Sequence, residues 1–282
     1  MSKEFKTVSS YDDNTIMIVD ALNLAFRYKH SGAIHFLEDY LSTVESLRRS
    51  YKAKYVVIAC DEGSSTYRKQ LHAGYKAARK NKFEKETEEE KAATELFFEE
   101  FTRLIETIDE DGKYALFKFP GCEADDIAAY IVNKYKKSHT IWLMSSDKDW
   151  DLLVDIGVSR FSYVSRKEIT IDNWSEHYEY DPEDHISIKC LAGDTGDSIP
   201  GVQGIGPKKA LALVKKYGTA YDIIASLPIE SKYAHIKKLN EFGAEALMNN
   251  YRLMDLVTFC SDALGEENCN TIDSVLEGYL SC

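Results

Sequence analysis

Carboxylate side chains follow three apolar stretches of this sequence, at the point where each stretch ends. Asp20 ends TIMIVD, Asp61 ends YVVIACD, and Asp147 ends HTIWLMSSD. Asp149 and Asp151 come directly after Asp147 in DKDWD. In a parallel sheet all carboxyl ends of the strands lie on one edge, where the ligands of open α/β folds bind. These side chains are therefore expected to converge if the three stretches are strands of one sheet.

Two further motifs add acids to the same predicted edge. GCEADD supplies Glu123, Asp125 and Asp126 at a predicted helix start, and GDTGD supplies Asp194 and Asp197 in a predicted loop. Each acid alone has an ordinary explanation, since acids favour helix starts and loop aspartates often cap or form turns. Two carboxylates about 4 Å apart, however, repel by roughly 4 kcal/mol at an effective dielectric of 20. Several such pairs would match the whole stability margin of about 5–15 kcal/mol, so the set requires protons or cations.

The ligand chemistry of the acids indicates which cation would neutralise them. Carboxylate oxygens are hard ligands, and the sequence contains no Cys-x-x-Cys or His-x-x-x-His pair. This favours Mg²⁺ or Mn²⁺ over zinc. A divalent site with many carboxylates suits phosphoryl hydrolysis by two metal ions, which activate water and hold the leaving oxygen.

The elements that must position these acids can be predicted from hydrophobic periodicity. Residues 15–20 and 55–61 are short apolar runs, and FLEDYLSTVESLRRSYK between them has the apolar spacing of a helix. A strand, a helix and a second strand in this order are typical of a parallel sheet. Residues 115–119 predict a third strand, EADDIAAYIVNKYKK a helix, and HTIWLM the next strand. The fold class is therefore α/β over residues 1–180, with a mostly helical region over residues 181–282.

Residues 62–95 differ from the rest of the α/β region because they contain few apolar residues and no helical apolar stripe. Such a polar segment can bury little surface and is expected to project from the body or to be mobile. Its first part is basic and its second part is acidic; the basic residues are Arg68, Lys69, Lys76, Arg79, Lys80 and Lys82.

A glycine-rich turn stands at the start of the helix predicted within GVQGIGPKKALALVKKYG. Gly204 and Gly206 allow a tight hairpin, and Pro207 fits the first turn of a helix that carries Lys208 and Lys209. The free backbone N–H groups of a helix start, reinforced by lysines, make an anion site. We interpret the segment as a helix-hairpin-helix motif that binds a DNA backbone without reading its sequence. The alternative is a simple helix C-cap followed by a turn.

Composition limits the class of protein. The chain has 282 residues, of which 44% are hydrophobic and 29% charged, as in an ordinary globular protein. No apolar run approaches membrane-spanning length, and the N-terminus lacks the apolar region of a signal peptide, so a cytoplasmic location is expected. The net charge of −12 by itself argues against a nucleic-acid partner. The basic residues are nevertheless concentrated at 68–82 and 208–216, away from the acidic motifs.

Six segments together resemble the flap endonuclease / 5′-3′ exonuclease family, and most closely its bacteriophage branch of the T-five type. They are DALNLAFR, YVVIACD, YKAAR, CEADDIAAYIV, SSDKDWDLL and GDTGDSIPGVQGIGPKKA. The family also includes the 5′ nuclease domain of bacterial DNA polymerase I. The resemblance runs from about residue 15 to residue 260 with its motifs in order. One departure is Ala21, which replaces a common glycine.

The resemblance implies an enzyme, a structure-specific nuclease that removes 5′ flaps and primers from DNA in replication. It implies a first metal group of Asp20, Asp61, Glu123, Asp125 and Asp126, and a second group of Asp147, Asp149, Asp194 and Asp197. Asp151 lies beyond the motif and is not expected to be a ligand.

The resemblance also implies a helical arch at about 62–110, through which a 5′ single strand threads. In that arch Tyr75 would stack on a base, while Lys76 and Arg79 would contact the scissile phosphate. Lys189 would contact the substrate near the metals, and Arg27 would contact DNA. The hairpin would bind duplex DNA with the help of a potassium ion. The expected partner is branched or flap DNA, with or without an RNA primer. It would be bound by a monomer that works in the cytoplasm, which is the host cytoplasm if a phage encodes the protein.

Three alternatives use part of the same pattern. A Toprim fold accounts for Glu123 and the Asp147-x-Asp149 pair but leaves the remaining acids unexplained. A PIN-type ribonuclease shares the sheet and some acids but lacks the arch and the hairpin. A non-catalytic DNA-binding scaffold would be expected to have lost some of the acids, and none of the family set is missing.

Overall fold

A six-stranded sheet forms the centre of the α/β region. The computed structural model describes residues 11–78 and 86–281. The strand order is β3-β2-β1-β4-β5-β6; the first five strands are parallel, and β6 is antiparallel to β5. This confirms the mainly parallel sheet, including the predicted strand at 115–119. The strands are β1 Asp12–Asp20, β2 Ala53–Cys60, β3 Ala115–Lys118, β4 Thr140–Met144, β5 Val158–Phe161 and β6 Glu168–Ile169.

Helices cover both faces of the sheet and make up most of the rest of the chain. The predicted helices at 36–52 and 123–137 are confirmed as α2 and α5. Among the described residues the helices are α1 Ala21–Ser31, α2 Leu37–Ser50, α3 Thr66–Leu71, α4 Glu88–Asp111, α5 Ala124–Tyr135, α6 His185–Ala192, α7 Pro207–Tyr217, α8 Ala220–Ala225, α9 Ala234–Met254, α10 Leu256–Leu264 and α11 Glu266–Leu280. None of these helices is long and apolar enough to cross a membrane.

The alternation of side chains along each strand divides the core between the two faces. Ile16 and Ile18 of β1 face a cluster that includes α5, α10 and α11, whereas Met17 and Val19 face a cluster that includes α1, α2 and α4. Both faces are apolar because a parallel sheet is covered on both sides. This explains why the strands read as continuous apolar runs.

A third cluster lies in the C-terminal helical region. It joins residues of α6, α7, α8 and α9 and includes Leu191, Ile205, Leu213 and Leu239. The mostly helical character expected after residue 181 is confirmed. The last two helices, α10 and α11, instead pack on the sheet through Leu256, Ile272 and other apolar side chains. The division of the chain near residue 180 stays a prediction.

The polar segment after β2 differs from its prediction. Arg68 and Tyr75 are buried, with 3% and 5% of their surfaces exposed. Arg68 and Tyr75 therefore do not project from the body. For these two residues the prediction was wrong, because a polar side chain can be buried where the core offers it partners. Two acids neutralise Arg68, and Tyr75 joins the third apolar cluster. The acidic part continues as α4, which Thr87 and Glu90 start with a reciprocal capping box.

Candidate active site

A cavity of about 290 Å³ at the carboxyl edge of the sheet collects most of the predicted acids. Asp20 is the last residue of β1, Asp61 follows β2, and Asp147 lies three residues beyond β4. The strands therefore carry their carboxylates to one place, as expected from the parallel order. The acids that line the cavity are Asp20, Asp61, Asp125, Asp147, Asp149, Asp194 and Asp197; Lys76, Asn23 and Phe26 also line it.

Helix starts fix several of these carboxylates. Asp20 caps α1, its Oδ1 accepting from the backbone N–H of Asn23 at 3.1 Å. Asp61 Oδ1 accepts from the N–H of Ala124 at 2.8 Å, which joins the end of β2 to the start of α5. Asp147 caps a short 3₁₀ helix, Lys148–Leu153, through a 2.9 Å bond from the N–H of Asp149. Capping residues hold fixed orientations, so the sheet and helices together preorganise the edge.

Glu123 lies beside the cavity, buried and surrounded by hydrogen-bond donors. Its Oε1 accepts from Lys76 Nζ at 2.6 Å, and its Oε2 accepts from the Tyr75 hydroxyl at 2.8 Å. Burial alone would raise the pKa of Glu123, but Lys76 and Arg68 outweigh that effect and the pKa is lowered. Glu123 is therefore a carboxylate whose charge two cations already balance.

Asp126 differs from its prediction as a metal ligand. It is fully buried and accepts two bonds from Arg68, both 2.7 Å long. Arg68 Nε also donates to the carbonyl of Leu253 at the end of α9. Asp126 does not line the acidic cavity, although Asp125 beside it does. We therefore remove Asp126 from the candidate ligands, because both of its oxygens are occupied by a guanidinium.

Repulsion among the remaining acids raises their pKa values. Burial and the neighbouring Asp61 raise the pKa of Asp20 to about 8. Burial and Asp147 raise the pKa of Asp125, and burial and Asp149 raise the pKa of Asp147. Desolvation and like charges both disfavour the ionised form. The raised pKa values show that these carboxylates carry negative charge that the surrounding protein does not balance.

Two lysines also neutralise acids of this site. Lys189 Nζ donates to Asp149 and lies 3.4 Å from Asp194 Oδ2, while Lys76 binds Glu123. In the described ranges no three metal-ligating side chains are already grouped around one point. The two lysines bind carboxylate oxygens of Glu123, Asp149 and Asp194. Lys189 thus lies beside acids of the predicted second metal group, and its contact with the substrate stays a prediction.

The start of the predicted arch is docked on the loop that carries Asp194 and Asp197. The N–H of Lys76 donates to the carbonyl of Asp197 at 2.9 Å, and the Tyr75 hydroxyl lies 3.2 Å from Asp197 Oδ2. Lys76 has a positive φ of 56°, uncommon for a residue with a side chain. Its ammonium reaches the cavity, whereas the buried ring of Tyr75 offers no face to a base, unlike the prediction for it. Arg79 lies outside the described residues.

The predicted hairpin lies between α6 and α7. Gly204 has φ of +80°, and Gly206 precedes Pro207, the first residue of α7. Lys208 and Lys209 are both exposed, and Lys209 Nζ donates to the carbonyl of Gly204 at 2.7 Å. The helix-hairpin-helix arrangement is therefore present, with its cations on the surface.

Arg27 is exposed on α1 but does not line the acidic cavity. It lines a neighbouring cavity of about 490 Å³ with Phe161, Tyr163, Arg166 and residues of α2. The structure therefore brings together the acids and Lys76, and it places Arg27 and the hairpin lysines elsewhere on the surface.

Sequence reasoning missed several residues that hold this site together. Arg68 neutralises Asp126, and Arg160 makes a buried ion pair with Asp151, which agrees with the interpretation that Asp151 is not a ligand. Ser145 contacts both Asp20 and Asp147. The serine pair before Asp147 in SSD was the available signal for Ser145, since small hydroxyl residues at a strand end often bond nearby backbone groups. Nothing in the sequence around Arg68 or Arg160 indicates that either arginine is buried in an ion pair.

Two family models match this chain and together cover most of it. The 5′-3′ exonuclease N-terminal resolvase-like domain matches residues 15–180, and the 5′-3′ exonuclease C-terminal SAM fold matches residues 180–272. The chain belongs to the 5′-3′ exonuclease family. This confirms the resemblance derived from the motifs. It favours a 5′ nuclease over the Toprim fold, the PIN-type ribonuclease and the non-catalytic scaffold.

Relatives of the 5′-3′ exonuclease family resemble this chain over nearly its whole length. The flap endonuclease of Escherichia phage T5 is 39% identical over 268 residues, covering 94% of this chain and 91% of the relative. A 5′-3′ exonuclease of Aquifex aeolicus is 29% identical and covers 81% of this chain and 74% of the relative. The protein is thus a structure-specific 5′ nuclease, a hydrolase.

Solved structures of the same family share this fold. A crystal structure of the phage T5 flap endonuclease, described as a pseudo-enzyme-product complex with DNA and metal ions, matches with a TM-score of 0.90 at 37% identity, covering 95% of this chain and 100% of the other. A structure of the T5 5′-exonuclease with divalent zinc ions matches with a TM-score of 0.87 at 39% identity, covering 93% and 98%. The α/β sheet with a C-terminal helical region is therefore the fold of this family.

Proposed function

We propose that this 5′ nuclease hydrolyses DNA phosphodiesters near the junction of single-stranded and duplex DNA, using two or more Mg²⁺ ions that Mn²⁺ can replace. The observation that carries the proposal is the cavity at the carboxyl edge of the sheet, into which seven aspartates converge. Hard oxygen ligands suit Mg²⁺ better than zinc. The raised pKa values of Asp20, Asp125 and Asp147 support the proposal, because they indicate unbalanced negative charge.

We assign the ligands to two groups. The donor chemistry of both groups fits a hard divalent cation, and bound ions of this kind would activate water and stabilise the leaving oxygen. Asp126 is left out because it lies outside the cavity and both of its oxygens bind the buried guanidinium of Arg68. Glu123 is kept because its partner Lys76 itself lines the cavity. The first group is Asp20, Asp61, Glu123 and Asp125, and the second is Asp147, Asp149, Asp194 and Asp197.

The cations of the site act on the scissile phosphate. Lys76 Nζ lies at the cavity, held by Glu123. Hydrolysis builds negative charge on the phosphoryl oxygens, so a fixed ammonium there stabilises the transition state more than the ground state. Lys189, between Asp149 and Asp194, has the same kind of position beside the second group. Arg79 keeps its predicted phosphate contact as part of this proposal.

The substrate is branched or flap DNA with a 5′ single strand, with or without an RNA primer. The strand would pass the arch helix α4, and Tyr75 would have to leave its pocket before its ring could stack on a base. Lys208 and Lys209 would hold the phosphates of a duplex arm, and Arg27 another part of the backbone. A potassium ion at the hairpin is also proposed; the carbonyl of Gly204 already accepts a cationic group there. We further propose that the protein acts as a monomer in the cytoplasm.

A 5′-labelled flap substrate tests the metal proposal. Cleavage is expected with Mg²⁺ or Mn²⁺ and none with a chelator, with product length read on a gel. Asp147→Asn should nearly abolish cleavage while flap DNA still binds. Asp109→Asn on the exposed side of α4 is the matched control and should cleave like the wild type. Full activity in chelator, or wild-type turnover in Asp147→Asn, would contradict the metal mechanism.

A further inference from the structure

Ser145 touches both acidic groups although it is not itself an acid. It lies directly after β4 with none of its surface exposed. Its Oγ donates to Asp20 Oδ2 at 2.7 Å and accepts from the backbone N–H of Asp147 at 3.0 Å. Asp20 belongs to the first proposed metal group and Asp147 to the second. One hydroxyl group therefore connects the two.

Chemistry fixes the direction of these two bonds. A hydroxyl has a single proton to donate and two lone pairs with which to accept. The N–H of Asp147 can only donate, so it takes a lone pair of Ser145 Oγ. The ionised Asp20 carboxylate has no proton to donate, so Ser145 Oγ donates its hydrogen to Asp20 Oδ2. The single proton of Ser145 Oγ is used on Asp20 and one of its lone pairs on Asp147. The plane of the Asp20 carboxylate is set by Ser145 on Oδ2 and by Asn23 on Oδ1.

A buried ion pair holds the backbone of Ser145 in place. Its carbonyl accepts from Arg160 Nη1 at 2.9 Å, and its N–H donates to the carbonyl of Phe161 at 3.2 Å. Arg160 in turn donates to both oxygens of Asp151, at 2.5 and 2.9 Å, and the Tyr178 hydroxyl donates to Asp151 as well. Because a broken buried ion pair leaves an uncompensated charge, this network resists movement. The Ser145 hydroxyl is therefore a fixed point relative to the sheet.

We propose that Ser145 is a positioning residue for metal binding: its hydroxyl orients the Asp20 carboxylate and fixes the Asp147 turn, so that the two acidic groups face each other before any ion arrives. The inference rests on the proposed metal-dependent function. Partners that orient metal ligands typically contribute about 10–100-fold in metal affinity or activity. Ser145 has no contact with the substrate in this role and acts through the two aspartates.

Metal titration of the Ser145→Ala variant tests the proposal. Binding of Mn²⁺ to the DNA-free protein is measured by calorimetry, and the Mg²⁺ concentration for half-maximal cleavage is measured separately. We expect Mn²⁺ affinity to fall, and the half-saturating Mg²⁺ to rise, by about 10–100-fold, with kcat at saturating Mg²⁺ changed much less. Ser145→Cys keeps the shape of the side chain but replaces the hydroxyl by a somewhat larger thiol, which is a weaker donor. Its metal affinity should lie between those of the wild type and Ser145→Ala.

Ser162→Ala is the matched control. Ser162 is also buried, and its hydroxyl bonds Ser165 and Ser146 rather than a proposed ligand, so its removal should leave Mn²⁺ affinity unchanged. A lower melting temperature for Ser145→Ala with wild-type metal affinity would overturn the proposal, because that result describes a purely structural serine. If Ser145→Ala fails to fold, Ser145→Cys carries the same test and the same refuting result. A wild type that neither binds Mn²⁺ nor cleaves would instead refute the metal-dependent function itself.

Discussion

Asp125 and Asp126 are neighbours in the sequence, and the structure predicts opposite results for their replacement by asparagine. Asp125 lines the acidic cavity, and its Oδ1 accepts from Trp150 Nε1 at 2.6 Å. Asp126 faces away from the cavity and is paired with Arg68. Each substitution replaces a carboxyl group by a neutral amide of nearly the same size. The pair of variants therefore separates the chemistry of the cavity from the stability of the core.

The magnitude for Asp126→Asn follows from its ion pair. Asp126 makes two charge-assisted bonds of 2.7 Å to a guanidinium that is 3% exposed. Breaking a buried pair typically costs about 3–5 kcal/mol, because it leaves an uncompensated charge. Glu123, 3.4 Å from the same guanidinium, compensates part of that charge, so we expect the lower end of the range. This is a large part of a stability margin of about 5–15 kcal/mol.

Asp125→Asn, in contrast, is not expected to lower the free energy of unfolding. Burial and Asp147 already raise the pKa of Asp125, so its ionised form is unfavourable in the metal-free protein. Asparagine removes the repulsion and keeps the oxygen that accepts from Trp150. The free energy of unfolding should be unchanged or higher. Cleavage should nearly cease, since a proposed ligand of the first metal group has lost its charge.

Urea unfolding without metal and single-turnover cleavage at saturating Mg²⁺ together test this pair. Asp126→Asn should be destabilised by about 3 kcal/mol and still cleave, at a temperature where it is folded. Asp125→Asn should be as stable as the wild type and almost inactive. The reasoning is refuted if Asp126→Asn loses cleavage without losing stability, because Asp126 would then be a ligand as its motif first indicated.

Three further predictions concern the cations and a buried histidine. Lys76→Ala should lower the single-turnover rate by at least about a hundredfold with a modest loss of affinity, measured by quench-flow and by anisotropy in Ca²⁺; a change in affinity alone would make Lys76 a docking residue. Replacing Lys208 and Lys209 by alanine should lower the salt slope of duplex binding by roughly 1.5–2, and an unchanged slope would favour a simple turn at the hairpin. Burial lowers the pKa of His185 to about 4, so the unfolded chain binds the proton first as the pH falls from about 6.5 to 4, and stability declines over that window. His185→Gln should reduce that decline by up to about 3 kcal/mol in urea unfolding, and an unchanged pH profile would contradict the assignment.

The sequence alone determined where the acids would meet. Asp20, Asp61 and Asp147 each end an apolar run, and runs of that length separated by helical segments make a parallel sheet. The rule that parallel strands end on one edge then brings residues far apart in the chain to one cavity. The hairpin at Gly204 and Gly206 could also be predicted from neighbouring residues, because glycine, proline and lysine in this order specify a turn and a helix start.

Only the tertiary structure decided which acids face the cavity. Asp125 and Asp126 are adjacent at the start of α5, so they point to different sides of it. Their environments depend on Arg68, which is 58 positions from Asp126 in the chain. Asp149 and Asp151 are separated in the same way by Lys189 and Arg160. Local pattern describes the direction of a strand or a helix, whereas the partner of a buried charge is fixed by elements that meet only when the chain has folded.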